Sequence, residues 1–437
     1  MFKTFINVFK IKDLRRRILF VFLMLVVVRI GSGIPVAGVD PDVFKELFNA
    51  TGDSMSFFDA ITGGSFERMS VFALSITPYI TSSIIMQLLT IAIPKLEEMQ
   101  RDGERGRKKM TQITRLVTVG LALLESTAMA IGFGRSGYLT EFNALYVILV
   151  IAVLTGGSTV LMWIGEQITE HGIGNGISIV LIINIISRIP SDLVSLYEQF
   201  IKGQIVAKGI LSGVIIAAII IGTVVLVVYL QNAERKIPVQ YSQKVQGRRQ
   251  VGGNATHIPL KVNTAGVIPV IFAQSLMQTP VIIVSLVKGQ NGVEGFWGHI
   301  LKGLSQSNWF KTDQFVYTIG ALVYVLLIIA FAYFYTSITF NPFEIANNMK
   351  KQGGSIPGIR PGQPTVDYLQ GVLKNIIFIG AIGLSIVAIL PIVFNGLFGA
   401  DVSFGGTSII IIVGVIIETL KQVESQMMVR NYKGFLD

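Results

Sequence analysis

Ile210-Leu211-Ser212-Gly213-Val214-Ile215-Ile216-Ala217-Ala218-Ile219-Ile220-Ile221-Gly222-Thr223-Val224-Val225-Leu226-Val227-Val228-Tyr229-Leu230 contains no charged residue. An α-helix rises about 1.5 Å per residue, so this run matches the ~30 Å hydrocarbon core of a bilayer. A helix apolar on every side is buried in a large core or in lipid. Working outward, further apolar stretches lie at roughly 18–37, 69–93, 116–134, 144–164, 176–189, 264–287, 315–336, 370–394 and 404–420, which with 209–230 makes ten spans. The stretches 69–93 and 264–287 are diluted by Gly, Ser, Thr and Pro, and 176–189 is short, with Arg188 near its end. Composition points the same way: 51% of the residues are hydrophobic and 14% charged, where a soluble chain carries about 25% charged residues. Lipid is the solvent.

Lys10, Lys12, Arg15, Arg16 and Arg17 precede the apolar run from Ile18 to Val28, as at the start of a signal peptide. No small-x-small cleavage site follows in Arg29-Ile30-Gly31-Ser32-Gly33-Ile34-Pro35, so the run reads as a retained first helix. With the N-terminus inside, the inner segments 1–17, 94–115, 165–175, 231–263, 337–369 and 421–437 hold 25 Lys and Arg, and the five outer segments hold nine. Basic residues collect in cytoplasmic loops, so ten spans with both termini in the cytoplasm fit this asymmetry. The outer segment 38–68 is acidic (Asp40, Asp42, Glu46, Asp53, Asp59 and Glu67), and its amphiphilic stretch 55–64 is too short to span. It is either a surface helix or a re-entrant element packed inside the protein.

The chain offers no chemistry. It has no cysteine, only three scattered histidines (His171, His257 and His299), and neither a GxxxxGK[ST] phosphate loop nor an HExxH zinc motif. Gly172-Ile173-Gly174-Asn175-Gly176 follows a span rather than a strand, and reads as the turn or hinge that opens span 5. Proline at 78 in span 2 and at 269 in span 7 is expected to kink both helices at corresponding places.

Five strings carry a resemblance. They are Ser75–Leu89, Trp163–Ser178, Pro259–Asn263 with Ala265–Pro269, Pro357–Gly362, and Phe404–Ser408. In this order and at ten-span spacing they resemble the SecY channel family, in its bacterial form, over essentially the whole chain. The resemblance implies an all-α polytopic membrane protein of ten transmembrane helices. It has two pseudo-symmetric inverted halves of five, 1–190 and 191–437, closed as a clamshell around a central pore. A re-entrant plug, about 55–66, follows helix 1, and the long cytoplasmic loops are about 231–263 and 337–369.

By the same resemblance an aliphatic pore ring is formed by Ile76 and Ile80 of span 2, Ile177 and Leu181 of span 5, Ile271 of span 7 and Ile411 of span 10. Leu181 replaces the usual isoleucine and keeps its volume. Narrow apolar pores dewet, and such a ring gives a passing chain no specific bond. The plug comprises Phe57, Phe58, Ile61, Gly63 and Gly64. The lateral gate to lipid lies between spans 2 and 7, with Thr81, Ser82, Gln274, Ser275 and Thr279 as its polar residues. Glu125, mid-helix in span 3, is expected to join them in a hydrogen-bonded cluster or to serve packing alone. Arg248, Arg249, Lys350, Lys351 and Arg360 are the implied docking residues, since loops of about thirty residues far exceed median connections of ~4–6.

The function implied is the central channel of the general secretion translocon. It would pass unfolded polypeptides across the bacterial cytoplasmic membrane and release transmembrane segments sideways into it. The implied partners are SecE-type and SecG-type small membrane subunits, the SecA motor ATPase, the ribosome, secretory preproteins with signal sequences, and membrane lipids. No cofactor, metal, catalytic residue or direct nucleotide binding is implied, so energy comes from outside the chain. The rival class is a secondary transporter, which places ionisable groups near the midplane; here Glu125 is the one such group deep in a span.

Overall fold

The computed structural model describes residues 11–39, 59, 62–135, 139, 142–202, 206–241, 244–246, 249–251, 255–288, 295–398 and 406–433. Helices occupy all ten expected positions. They are α1 (Lys12–Gly31), α2 (Thr77–Ala92), α4 (Gly103–Arg135), α5 (Ala144–His171), α6 (Gly176–Phe200), α7 (Val206–Asn232), α8 (Ile268–Lys288), α10 (Ile319–Thr339), α12 (Gln363–Phe398) and α13 (Gly406–Lys433). Shorter helices α3 (Pro94–Arg101), α9 (Phe296–Leu304) and α11 (Pro342–Lys351) sit between them. Among the described residues six helical stretches are each long and apolar enough to cross a membrane, or seven if α2 and α3 count as one bent span. The bend is 109°, at Ile93, whose extended backbone (φ −116°, ψ 108°) is what the following Pro94 demands. Helix α7, which contains the uncharged run 210–230, exposes Ile210, Leu211, Val214, Ile221, Val225 and Tyr229, as a lipid-facing helix does.

Three expectations are corrected. Span 2 is helical only from Thr77; residues 66–76 form a chain of turns, with Met69 (φ 43°) and Ser75 (φ 52°) in the left-handed region. Pro78 and Pro269 kink nothing: each lies in the first turn of its helix, where no N–H partner is lost, and the interior prolines are Pro190, Pro280 and Pro391. Span 5 continues to Phe200, well beyond its expected end at 189.

The long loops are built rather than irregular, which adds β structure to a helical fold. Strand β1 (Glu234–Tyr241) pairs antiparallel with β4 (Ala255–Lys261) and with the two-residue β5 (Gly354–Ser355), so both loops share one sheet ordered β4-β1-β5. Strands β2 (Lys244–Gln246) and β3 (Arg249–Val251) form a separate hairpin. The alternation Ile237-Pro238-Val239 buries Ile237 and Val239 against Leu260, Met349, Ile356 and Leu369. The sheet is thereby fixed to α11 and α12.

The apolar cores are four large clusters. One packs turns 66–74 on α4 and α5. Another joins α7, α8, α10, α12 and α13. A third underlies the sheet. The fourth joins α1, α2, α5 and α6 to α8 and α13, and the candidate site lies in it.

Candidate functional site

All six expected ring residues meet in that fourth cluster: Ile76, Leu181 and Ile411 buried, Ile80, Ile177 and Ile271 partly so. Each stands at the start of a helix. Ile76 caps α2 and Ile80 is in its first turn; Ile177 and Leu181 open α6; Ile271 is in the first turn of α8 and Ile411 near the start of α13. In a ten-span chain spans 2 and 10 run opposite to spans 5 and 7. Helix starts of opposite direction therefore meet in this one cluster. Before the starts of α2, α6 and α8 the chain is non-helical, as in turns 66–76 and in Gly172–Asn175, where the Asn175 side chain accepts the N–H groups of Ile177 and Ser178.

Two polar side chains that sequence reasoning missed tie α6 to the turn that leads into this cluster. Asn184 of α6, almost fully buried, donates to Ser75 Oγ at 3.2 Å. Ser75 is the strained residue just before Ile76, so the bond fixes the turn that delivers the ring's first member. No signal in the sequence pairs positions 109 residues apart.

The plug residues Phe57, Phe58 and Ile61 lie outside the described residues; Gly63 and Gly64 are buried. Gly63 adopts φ +70°, and a Cβ there would sit 2.7 Å from the Asn184 carbonyl oxygen. Its own carbonyl accepts from Ser187 Oγ at 3.3 Å and from Arg29 Nη1 at 3.4 Å. Beside it Arg188, an outer-loop charge in the sequence reading, contacts Glu67 Oε2 at 2.7 Å and Asp59 Oδ2 at 2.5 Å. The Asp59 contact is ionic without hydrogen-bond geometry. Burial pushes the Asp59 carboxyl up to about 6, while the Arg188 guanidinium and the Glu67 N–H pull the other way.

The six expected gate residues do not form one cluster. Ser82 donates to the Thr114 carbonyl and ties α2 to α4, but Thr81 and Thr279 bond back to Thr77 and Ser275 of their own helices. Gln274 bonds Gln306 and Thr407, away from span 2. Among the described residues no hydrogen bond joins Glu125 to any of them. Its neighbour Ser126 instead pairs with Thr155 of α5. Helix α4 does pack against both α2 and α8, which puts it at the seam between them.

On the loops, Lys350 and Lys351 are exposed at the end of α11, where basic residues complement the helix dipole. Arg360 is exposed on a turn pinned by Ile359 in the core beneath and flanked by Gly358 (φ +81°) and Gly362 (φ +114°). Arg249 pairs with Gln246 at the hairpin end, its side chain outside the described residues, and Arg248 lies outside them altogether.

The family model described as SecY matches residues 70–420. A relative from Halalkalibacterium halodurans, named protein translocase subunit SecY, is 42% identical, with both chains covered in full. The chain belongs to the SecY family. Matching such SecY relatives from end to end, it is a channel-forming subunit of a protein translocase, a multi-pass protein of the membrane. Solved structures agree on the ten-helix clamshell of SecY. A protein conducting channel superposes with a TM-score of 0.63 at 19% identity, over 94% of this chain and 92% of that one. The Sec61 channel of a canine ribosome-channel complex from the endoplasmic reticulum gives 0.59 at 19%, with the same shares covered.

Proposed function

We propose that the six-residue waist is the constriction through which an extended polypeptide threads. One observation carries the reading: aliphatic side chains from four helix starts, two from each face, gather in a single cluster with no charged member. Such a waist dewets when idle and grips no particular sequence when open. Residues 55–66 form the plug on its outer side. Spans 1–5 and 6–10 are the two halves, and the seam between α2 and α8, backed by α4, is the lateral gate through which transmembrane segments leave. Both termini and the sheet-bearing loops face the cytoplasm of a bacterium, as the 25 to nine division of basic residues supports.

The loop that contributes β5 presents Arg360, Lys350 and Lys351 to a SecA-type motor and to the ribosome, whose phosphates suit such cations. SecE-type and SecG-type subunits complete the channel, and the motor supplies the energy. The test is transport of a secretory preprotein into vesicles carrying the purified channel, SecA and ATP. Parent channel transports; Arg360→Glu inserts to the parent level but loses at least about tenfold in rate, since exposed-loop changes rarely move stability beyond ~0.5 kcal/mol. Wild-type transport by Arg360→Glu removes this loop from the docking surface. Uptake of a small solute without polypeptide transport removes the whole reading.

A further inference from the structure

Arg188 faces two carboxylates that sequence places far away, Glu67 being 121 residues off. Asp59 is completely buried, and the Arg188 and Glu67 side chains are 19% and 22% exposed. The carboxylates are arranged for one cation: Asp59 Oδ1 accepts the Glu67 N–H at 2.8 Å, and the Gly64 N–H bonds the Asp59 carbonyl at 3.1 Å, which ties Asp59 to the stretch 62–67. The stretch 62–67 lies on one face of α6, since Asn184, Ser187 and Arg188 are spaced i, i+3, i+4. It lies so close that Gly63 has no room for a side chain. A buried charge is held only by a partner, so at neutral pH Asp59 stays in place because Arg188 faces it.

We propose that Arg188 is a positioning residue for channel closure: it clasps the root of the plug to α6 and sets how hard a signal sequence must push to open the pore. The clasp rests on the reading of residues 55–66 as a plug. It acts beside the waist, because Asn184, one turn before Arg188, holds the Ser75 turn that carries Ile76. Unseating the loop therefore loosens the same face of α6 that orders the ring's first member. Asp59 and Glu67 are the two jaws, and Arg29, bonded to the Gly63 carbonyl from α1, is a third restraint on the same loop.

Four channels are compared in planar bilayers and in export of a preprotein with a defective signal: parent, deletion of residues 55–66, Arg188→Gln, and Arg188→Gln with Asp59→Asn. Arg188→Gln strands a buried carboxylate, so the open-to-closed ratio rises on the order of 100-fold, seen as resting ion conductance and as export of the defective signal. Adding Asp59→Asn removes the stranded charge and returns most of the closure, a rescue that general loss of structure would not give. Leakage from the deletion with parent behaviour by Arg188→Gln overturns the clasp and leaves the plug standing. Parent behaviour by the deletion removes the plug reading, and the clasp with it. Where Arg188→Gln does not accumulate in the membrane, Glu67→Gln, which leaves the Asp59–Arg188 pair intact, carries the test: a smaller rise supports the clasp, and none overturns it.

Discussion

On the proposed reading the waist and the outer mouth, joined by a single helix, close by opposite chemistry. At the waist α6 contributes Ile177 and Leu181 to a cluster with no directional bond. Within two turns the same helix contributes Asn184, Ser187 and Arg188, each bonded to a particular atom of the segment above. An apolar seal is indifferent to what passes, which a channel for arbitrary sequences requires. Its weakness is the same indifference, since nothing in it favours one backbone arrangement over another. The ionic mouth supplies that preference: a buried ion pair adds little net stability but penalises every arrangement that separates it. The seal and its threshold are thus held by different residues and can be altered apart.

The largest effect should come from wetting the waist. Replacing Ile76, Ile80, Leu181 and Ile411 by Asn is expected to raise resting ion conductance by two orders of magnitude or about that. Replacing Ile210, Ile215 and Ile221, all exposed on α7, should not. Equal leakage from both sets would break the contrast between a seal and an ordinary apolar surface.

The next effect sharpens the contrast by pH, to which an aliphatic ring is blind. Asp59 titrates near 6 in its seat against its ordinary 3.8, so the seated loop binds the proton more tightly than the released loop. Seating is then fully strengthened below about pH 4 and weakens as pH rises through 6; between pH 5 and 7 the change is roughly tenfold. Glu67, Arg68 and Arg188 are the other charged groups acting on this carboxyl. Resting conductance of the parent should fall on acidification of the outer side from pH 7 to 5, and more steeply in Arg188→Gln, where no guanidinium opposes the rise. Asp59→Asn should flatten the profile. Conductance that rises on acidification would mean that the attraction of Arg188 outweighs the cost of burying the ionised Asp59 carboxylate.

The helix positions were legible and almost none of the Arg188 contacts was, and the reason is physical. Spans are written locally: twenty apolar residues in lipid have one good solution, so all ten helix positions followed from the sequence. Where apolar stretches were not helices, the same rule misled. Val71–Ile76 is as apolar as a span yet folds as turns, because its backbone groups are satisfied inside the protein, as when the Val71 N–H bonds the Ile34 carbonyl at 2.9 Å. Pro78 looked like a kink because the helix was expected to start eight residues earlier than Thr77. The sheet could have been found in the period-two run Ile237-Pro238-Val239, but its third strand comes from the other loop. Arg188 carried no signal, since one arginine near a span end is what topology alone would place there.

The smallest effect is expected at Glu125, where the comparison between indifferent seal and specific bond can be carried to the lateral gate. A carboxyl near the middle of α4 should face protein rather than lipid, since a central acid is unfavourable by ~3 kcal/mol on insertion scales. A gating role needs more than that: it needs a bond across the seam that opening would break. Among the described residues the seam offers one candidate bond, Ser82 to the Thr114 carbonyl, and it joins spans 2 and 3. Gln274, the best-placed polar side chain on α8, is occupied by Gln306 and Thr407. Glu125 therefore has no partner across the seam among the described residues, and the gate there resembles the waist more than the mouth. Single hydrogen bonds in membranes are worth only ~0.6–2 kcal/mol, so even an indirect influence on the seam would be modest. Glu125→Leu is expected to change export of a preprotein with a defective signal by less than about threefold, with channel abundance unchanged. A tenfold change at constant abundance would restore Glu125 to the gate and show that the seam, like the mouth, closes on a specific bond.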